Sequence, residues 1–314
     1  MILAVSGCLL GEKIRFDRGH KRDTFIMDEL SNYADYVSFC PENLAFGSPR
    51  DSLRLVRNET DTKVVSNKTL EDLTETLEQS SQSEFEKISQ NKLTGIILKS
   101  KSPSCGLGSA KVYLENGFVS EKDDGVFAAM CRKNYPLLPI EEEGRLCDAW
   151  LRENFVMQVF AYDAFEQFKI DASLGKLVDF HRTNKFLLQS KDDQIYRQLG
   201  KLVGNHEGKD FEEILQEYEH LYKTAISKKS SAGKTRNVLE HMAGFLKKYL
   251  SKEEKALLHE QIDDCAAKII PVIVPLSTLK IYATKYEVSY LLEQKFLDPY
   301  PKELGLRSSV TSLK

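Results

Sequence analysis

The sequence predicts an α/β domain followed by an all-α domain, and three observations predict it. Short apolar runs at 2–6, 36–39 and 95–98 alternate with stretches of helical spacing through the first 150 residues. Beyond residue 150 no strand-like alternation appears, and apolar residues recur every three or four positions. At 314 residues the chain is also longer than one ordinary core, so two domains are the default. Alternating strands and helices imply a parallel sheet covered on both faces, a three-layer Rossmann-like arrangement. The expected division is an α/β domain over 1–148, a helical connector over 149–188 and an all-α domain over 189–314.

Taken in order, the first strand ends at Gly7-Cys8. A helix over 22–33 carries Phe25, Ile26 and Leu30 on one side. The second strand is stopped by Cys40-Pro41. Leu70, Leu73 and Leu77 mark a helix over 69–77 that extends, past a serine-rich interruption, towards Ile88. The third strand runs into Lys99-Ser-Lys-Ser-Pro-Ser-Cys105-Gly. Asn116-Gly117 reads as a hairpin turn. Asp123 or Asp124 caps a helix through Met130, and 136–140 is a last strand. In the second half, helices are expected over 150–168, 211–226 and 238–250. Ser251 with Glu254 forms a capping-box signature for the next. Pro271 and Pro275 bracket a break before 276–282, and Asp298-Pro-Tyr-Pro301 ends regular structure.

Hydrophobic residues make up 41% of the chain and charged residues 29%, a globular composition that argues against disorder. Apolar runs are too short for a membrane span, and the start carries no basic leader, so a soluble cytoplasmic protein is expected. The net charge of −3 divides into −5 over the first 150 residues and +2 over the rest, which gives no global field for nucleic acid. Six cysteines in a reducing compartment are not expected to form disulfides.

Their positions separate them. Cys131, Cys265 and Cys147 fit the role of small packing residues. Cys8, Cys40 and Cys105 instead lie in loops beside glycine or proline, each at the carboxyl end of a different expected strand. In parallel sheets ligands bind there, so the three are expected to converge. No CxxC pair supports a structural zinc site. Three thiolates without a fourth suit an iron–sulfur cluster with one iron open to substrate, since electron-transfer clusters ordinarily take four cysteines. Plain packing of these three thiols is the alternative.

Around these cysteines, Arg15-Phe-Asp-Arg-Gly-His20-Lys-Arg22, Cys40-Pro-Glu42 with Gly47-Ser-Pro-Arg50, and Lys101-Ser-Pro-Ser-Cys105-Gly resemble the bacterial thiouracil and thiouridine desulfidase family. The resemblance continues through Glu141-Glu-Glu-Gly-Arg145 and Leu151-Arg-Glu-Asn-Phe155. It then follows a C-terminal helical domain found in the fused members, at 180–185, 196–200, 237–241, 273–276 and 300–304. It implies a [4Fe-4S] cluster on Cys8, Cys40 and Cys105, and removal of sulfur from 4-thiouridine, in transfer RNA or as the nucleotide, without net redox change. It also implies a cluster that air would strip. Two positions depart from the family pattern: Arg18 stands where glycine is usual, and Asn184 where histidine is usual.

A thiocarbonyl is soft and suits an open iron, and a water must be activated to replace the sulfur. Glu42 is the expected base, Ser102 orients water or base edge, and Lys101 stabilises developing negative charge; Glu42 pairing only with Arg50, and Ser102 serving only a turn, are the plainer readings. Arg15, His20, Lys21, Arg22, Arg50 and Arg54 are placed to meet phosphate. In the helical half Lys223, Lys228, Lys229, Lys234 and Arg236 form an acid-free run suited to RNA phosphates. Gly233-Lys-Thr235 is not a phosphate loop, because no strand or glycine precedes it in the required places, so no ATP is expected. His181 and His241 read as core groups of helices. The competing readings are a cluster-bearing RNA-binding sensor without catalysis, and an enzyme that inserts sulfur into transfer RNA.

Overall fold

In a computed structural model the described residues are 1–58, 61–205, 208 and 210–314. They form two compact units, Met1–Cys147 and Asp148–Lys314.

The first unit is α/β. Strands β1 (Ile2–Ser6), β2 (Asp35–Phe39), β5 (Gly95–Leu98) and β8 (Ile140–Glu142) form a parallel sheet in the order β2-β1-β5-β8. Its central strands are apolar throughout, as burial on both faces requires: Leu3, Ala4, Val5, Ile96, Ile97 and Leu98 are fully buried. Helices α1 (Pro41–Phe46), α2 (Thr74–Ser89), α3 (Val126–Asn134) and α4 (Glu143–Leu146) accompany it.

The sequence did not announce a second four-stranded sheet. It comprises β3 (Leu53–Arg57), β4 (Thr62–Ser66), β6 (Ala110–Leu114) and β7 (Val119–Asp123), ordered β4-β3-β6-β7. Only β3 and β6 are parallel; the outer pairs are antiparallel, and Asn116-Gly117 turns β6 into β7 as expected. Its buried side, Leu53, Leu55, Val64 and Val112, closes on Leu77 of α2. Two helical expectations change. The segment after Arg22 is a single π turn over Phe25–Glu29 and a 3-10 turn over Leu30–Asn32, and α2 begins at Thr74, so Leu70 lies outside it. The last strand begins at Ile140, where the 136–139 stretch has already ended.

The second unit is all helical among its described residues: α5 (Ala149–Lys169), α6 (Leu174–Thr183), α7 (Lys185–Lys191), α8 (Asp193–Gly204), α9 (Phe211–Ser227), α10 (Ala232–Leu246), α11 (Lys252–Ala266), α12 (Ile273–Lys285) and α13 (Ser289–Leu292). Residues 149–188, expected as a connector, are thus α5, α6 and part of α7, packed within this unit. Caps follow the sequence: Asp148, Ser173, Asp192 and Ser231 each accept a backbone N–H, and Ser251 with Glu254 completes a capping box. The core is aromatic, with Phe165 stacked on both Tyr218 and Tyr222, which also stack on each other, and met edge-on by Phe180. No helix among the described residues is long and apolar enough to cross a membrane.

Candidate active site

Three neighbouring strands of the parallel sheet deliver the three loop cysteines. Cys8 lies in the 3-10 turn that follows β1, Cys40 is the N-cap of α1 directly after β2, and Cys105 ends the loop after β5. All three line one cavity of about 350 Å³, within the size range of small-ligand sites. Backbone fit keeps the third loop in place. A Cβ on Gly125 would lie 2.5 Å from the Ser104 carbonyl carbon, so α3 can start against this loop only at glycine. The N–H groups of Val126, Phe127 and Ala128 then donate to the carbonyls of Pro103 and Ser104.

Burial sets the thiols' charge. It pushes Cys8 up to about 12 and Cys105 up to about 11, and it raises Cys40 as well. The charge of Cys105 adds to the rise at both Cys8 and Cys40, while Lys99 and Arg15 partly oppose it at Cys8. Cys105 is therefore within electrostatic reach of both Cys8 and Cys40, and a cationic body in the cavity would favour their charged forms. Among the described residues, no three His, Cys, Asp or Glu side chains group as a site for a single metal ion. Three soft thiol donors around a cavity fit an iron–sulfur cluster. Cys131 and Cys265 are buried packing residues, whereas Cys147, just past the end of α4, is exposed, contrary to the packing role expected of it.

Glu42 sits in the same cavity wall, on the first turn of α1. Its Oε2 accepts from Arg50 Nη2 at 2.9 Å, and its Oε1 accepts from the hydroxyls of Ser102 and Ser104, both at 2.8 Å. The pairing with Arg50 is therefore real, and it leaves Oε1 turned to the serines. Ser102 Oγ also accepts from the N–H groups of Ser104 and Cys105, so it serves the turn and the carboxylate together. Lys101 lines the cavity from an exposed position with a left-handed backbone, φ 62°.

The cationic residues separate. Arg15 and Lys21 line the cavity, and Arg50 is held inside by Glu42 and by the carbonyls of Ile14 and Gly47. Arg22 is taken by Asp28, His20 accepts the Arg22 N–H, and neither lines the cavity; Arg54 lies over Tyr113. In the second unit Lys223 is buried between Glu166 and Glu219, Lys234 donates to the Lys191 carbonyl, and Arg236 pairs with Asp263. Lys229 lies over Trp150, and Lys228 is exposed. That run is thus largely engaged inside its own unit. His181 is half-buried, bonded to Tyr218 and stacked on Tyr196, and burial lowers it to about 4. His241 faces solvent, so it is no core group.

Three cavity residues escaped the sequence reading. Ser104 is the second hydroxyl on Glu42, and it lies 3.4 Å from Cys105 Sγ. Lys99 is held against Glu143 and Ser100. Phe16 is 39% exposed at the cavity with the Arg15 guanidinium over its ring. A bare aromatic among polar loop residues was the available signal.

Arg18 has φ 59°, a left-handed conformation that accounts for the glycine usual there and leaves the arginine unexplained. A left-handed residue with a Cβ costs about 1–2 kcal/mol, of which glycine's looser unfolded chain takes back roughly half. Arg18→Gly is expected to stabilise the protein by up to about 1 kcal/mol, read from the denaturant midpoint at unchanged slope.

A family model described as 2-thiouracil desulfurase matches residues 3–143, and one described as a protein of unknown function (DUF1722) matches 185–301. Among curated proteins, the uncharacterized protein YbgA of Escherichia coli (strain K12) is 23% identical over 159 residues, 50% of this chain and 94% of its own. Among solved structures, a [4Fe-4S]-dependent thiouracil desulfidase, TudS, is 26% identical, with 46% of this chain and 92% of that one covered and a TM-score of 0.38. The unit that carries the three cysteines is thus similar, over nearly all of its length, to the 2-thiouracil desulfurase family.

Proposed function

We propose that the first unit removes sulfur from 4-thiouridine, in transfer RNA or as the nucleotide, with a [4Fe-4S] cluster held by Cys8, Cys40 and Cys105. The observation that carries this reading is the meeting of three thiols and one hydroxyl-bonded carboxylate in a single cavity. The overall reaction exchanges C=S and water for C=O and hydrogen sulfide, so no electron donor is needed. Bound by these three cysteines, a cluster would supply an open iron suited to a soft thiocarbonyl sulfur and would make the ring carbon more electrophilic.

The chain's own groups do the rest. Glu42 Oε1 takes the proton of the attacking water and can return it to the ring nitrogen or the departing sulfur. Ser102 and Ser104 aim that oxygen, and Arg50 fixes the other. Phe16 offers its face to the pyrimidine ring, while Arg15, Lys21 and Lys101 stand near for the phosphate or the developing charge.

The test is to reconstitute the protein anaerobically with iron and sulfide and incubate it with thiolated transfer RNA and, separately, with the thiolated mononucleotide. Loss of the thiocarbonyl absorption with matching sulfide release is expected from at least one. Sulfide release from neither overturns the reading.

A further inference from the structure

The second unit carries an aromatic ridge at its surface, anchored where Phe245 meets the buried Phe186 edge-on at 6.1 Å. Phe245, near the end of α10, stacks on Tyr290 of α13 with ring centroids 4.9 Å apart. One helical turn further on, Tyr249 stacks on Tyr286 at 5.3 Å, and Tyr282 follows Tyr286 in the same tilt at 6.4 Å. Phe245 is 40% exposed and Tyr249 49%, an unusual allowance for rings that already have partners. Cations edge each pair. Lys185 Nζ lies 5.7 Å from the Phe245 ring, Arg182 lies 6.0 Å from Tyr290, and Lys285 lies 4.9 Å from Tyr286. Exposed Lys247 and Lys248 fill the turn between Phe245 and Tyr249. Asp179 and Glu293 occupy Arg182, and Lys285 is engaged by the Tyr286 hydroxyl and the charge of Glu254, so the charge offered outward comes chiefly from Lys185, Lys247 and Lys248.

Half-exposed rings interleaved with lysines match one polymer in particular. Unpaired nucleotides present a flat base, which stacks on any aromatic face, and a phosphate for every base. A protein partner would be served by the rings alone; the lysines between them point to a phosphate backbone.

We infer that the ridge formed by Phe245, Tyr249, Tyr286 and Tyr290, with Lys185, Lys247, Lys248 and Lys285, is the surface on which this protein holds unpaired segments of a structured RNA. The inference rests on the thiouridine reading only for which RNA is relevant, and it replaces the 228–236 run as the RNA-contacting surface of the helical unit.

The experiment measures anisotropy of labelled transfer RNA and of a labelled oligouridylate on the full-length protein, as wild type and as Phe245→Ala, Tyr249→Ala, Tyr249→Phe and the Lys247→Ala/Lys248→Ala pair. Each alanine at a ring should weaken binding roughly tenfold, and Tyr249→Phe should restore it, because the stack and not the hydroxyl is what matters. The lysine pair should flatten the dependence of affinity on salt by about two phosphate contacts. Thermal midpoints near wild type show that these exposed positions leave the fold intact. If the ring variants bind RNA as wild type does, or if wild type binds neither probe, the ridge is overturned. The thiouridine reading falls separately, when wild type releases no sulfide from any thiolated substrate.

Discussion

Changing any one of Cys8, Cys40 or Cys105 to Ala is expected to abolish sulfide release and to leave the reconstituted protein without its visible absorbance. The reason is geometric. Three adjacent strands supply one thiol each to a single cavity, and no fourth cysteine lines it. Groups that act as one unit are lost together, so each single variant should fall as far as the triple variant. Iron content per chain and sulfide release, measured side by side, check this. Cys147→Ala is the matched control, since that thiol is exposed and lines no part of the cavity. A single Ala variant at 8, 40 or 105 that keeps both iron and activity would refute the ligand set.

Glu42→Gln should separate chemistry from cofactor. The variant is expected to keep iron and absorbance, because glutamine preserves the shape of the hydroxyl and guanidinium contacts. Sulfide release should drop by about 10²–10⁴, the usual worth of a positioned proton acceptor. Removal of the charge also leaves the buried Arg50 guanidinium without a counterion, so some loss of stability should accompany it. The Ser102→Ala/Ser104→Ala pair resolves the two effects: it spares the ion pair, releases Oε1 from its hydroxyls, and should lower turnover more than it lowers the thermal midpoint. An iron-loaded Glu42→Gln protein with full turnover would remove Glu42 from the chemistry.

The parallel sheet was legible because its inner strands are buried on both faces, and an apolar run such as 95–98 ending at a polar loop is a strong signal. Cys8 and Cys105 were legible for the same reason, each following one such run, while Cys40 follows the half-buried edge strand β2 and was marked by Pro41. The second sheet was not. Its strands are half wet, β7 is exposed along its whole length, and β3 finds its parallel partner β6 only after the whole of α2 and β5 has intervened. Nothing local distinguishes Val119–Asp123 from a charged loop. Among the charged residues, sequence gave sign without pairing. Arg22, Lys223 and Arg236 read as positive charge without partners, and each is spent on a carboxylate; for Lys223 and Arg236 the fold brings up the distant Glu166 and Asp263. Ser104 was hidden by its ordinary place beside a cysteine, and its bond to Glu42 joins positions 62 residues apart.

The order β2-β1-β5 has a consequence for maturation. On the proposed ligand set neighbouring strands would each contribute one sulfur, so no short peptide stretch of this chain would hold the inorganic core in advance. Iron and sulfide would then have to wait for the sheet to zip up, and colour acquired during reconstitution would become a clock for that event.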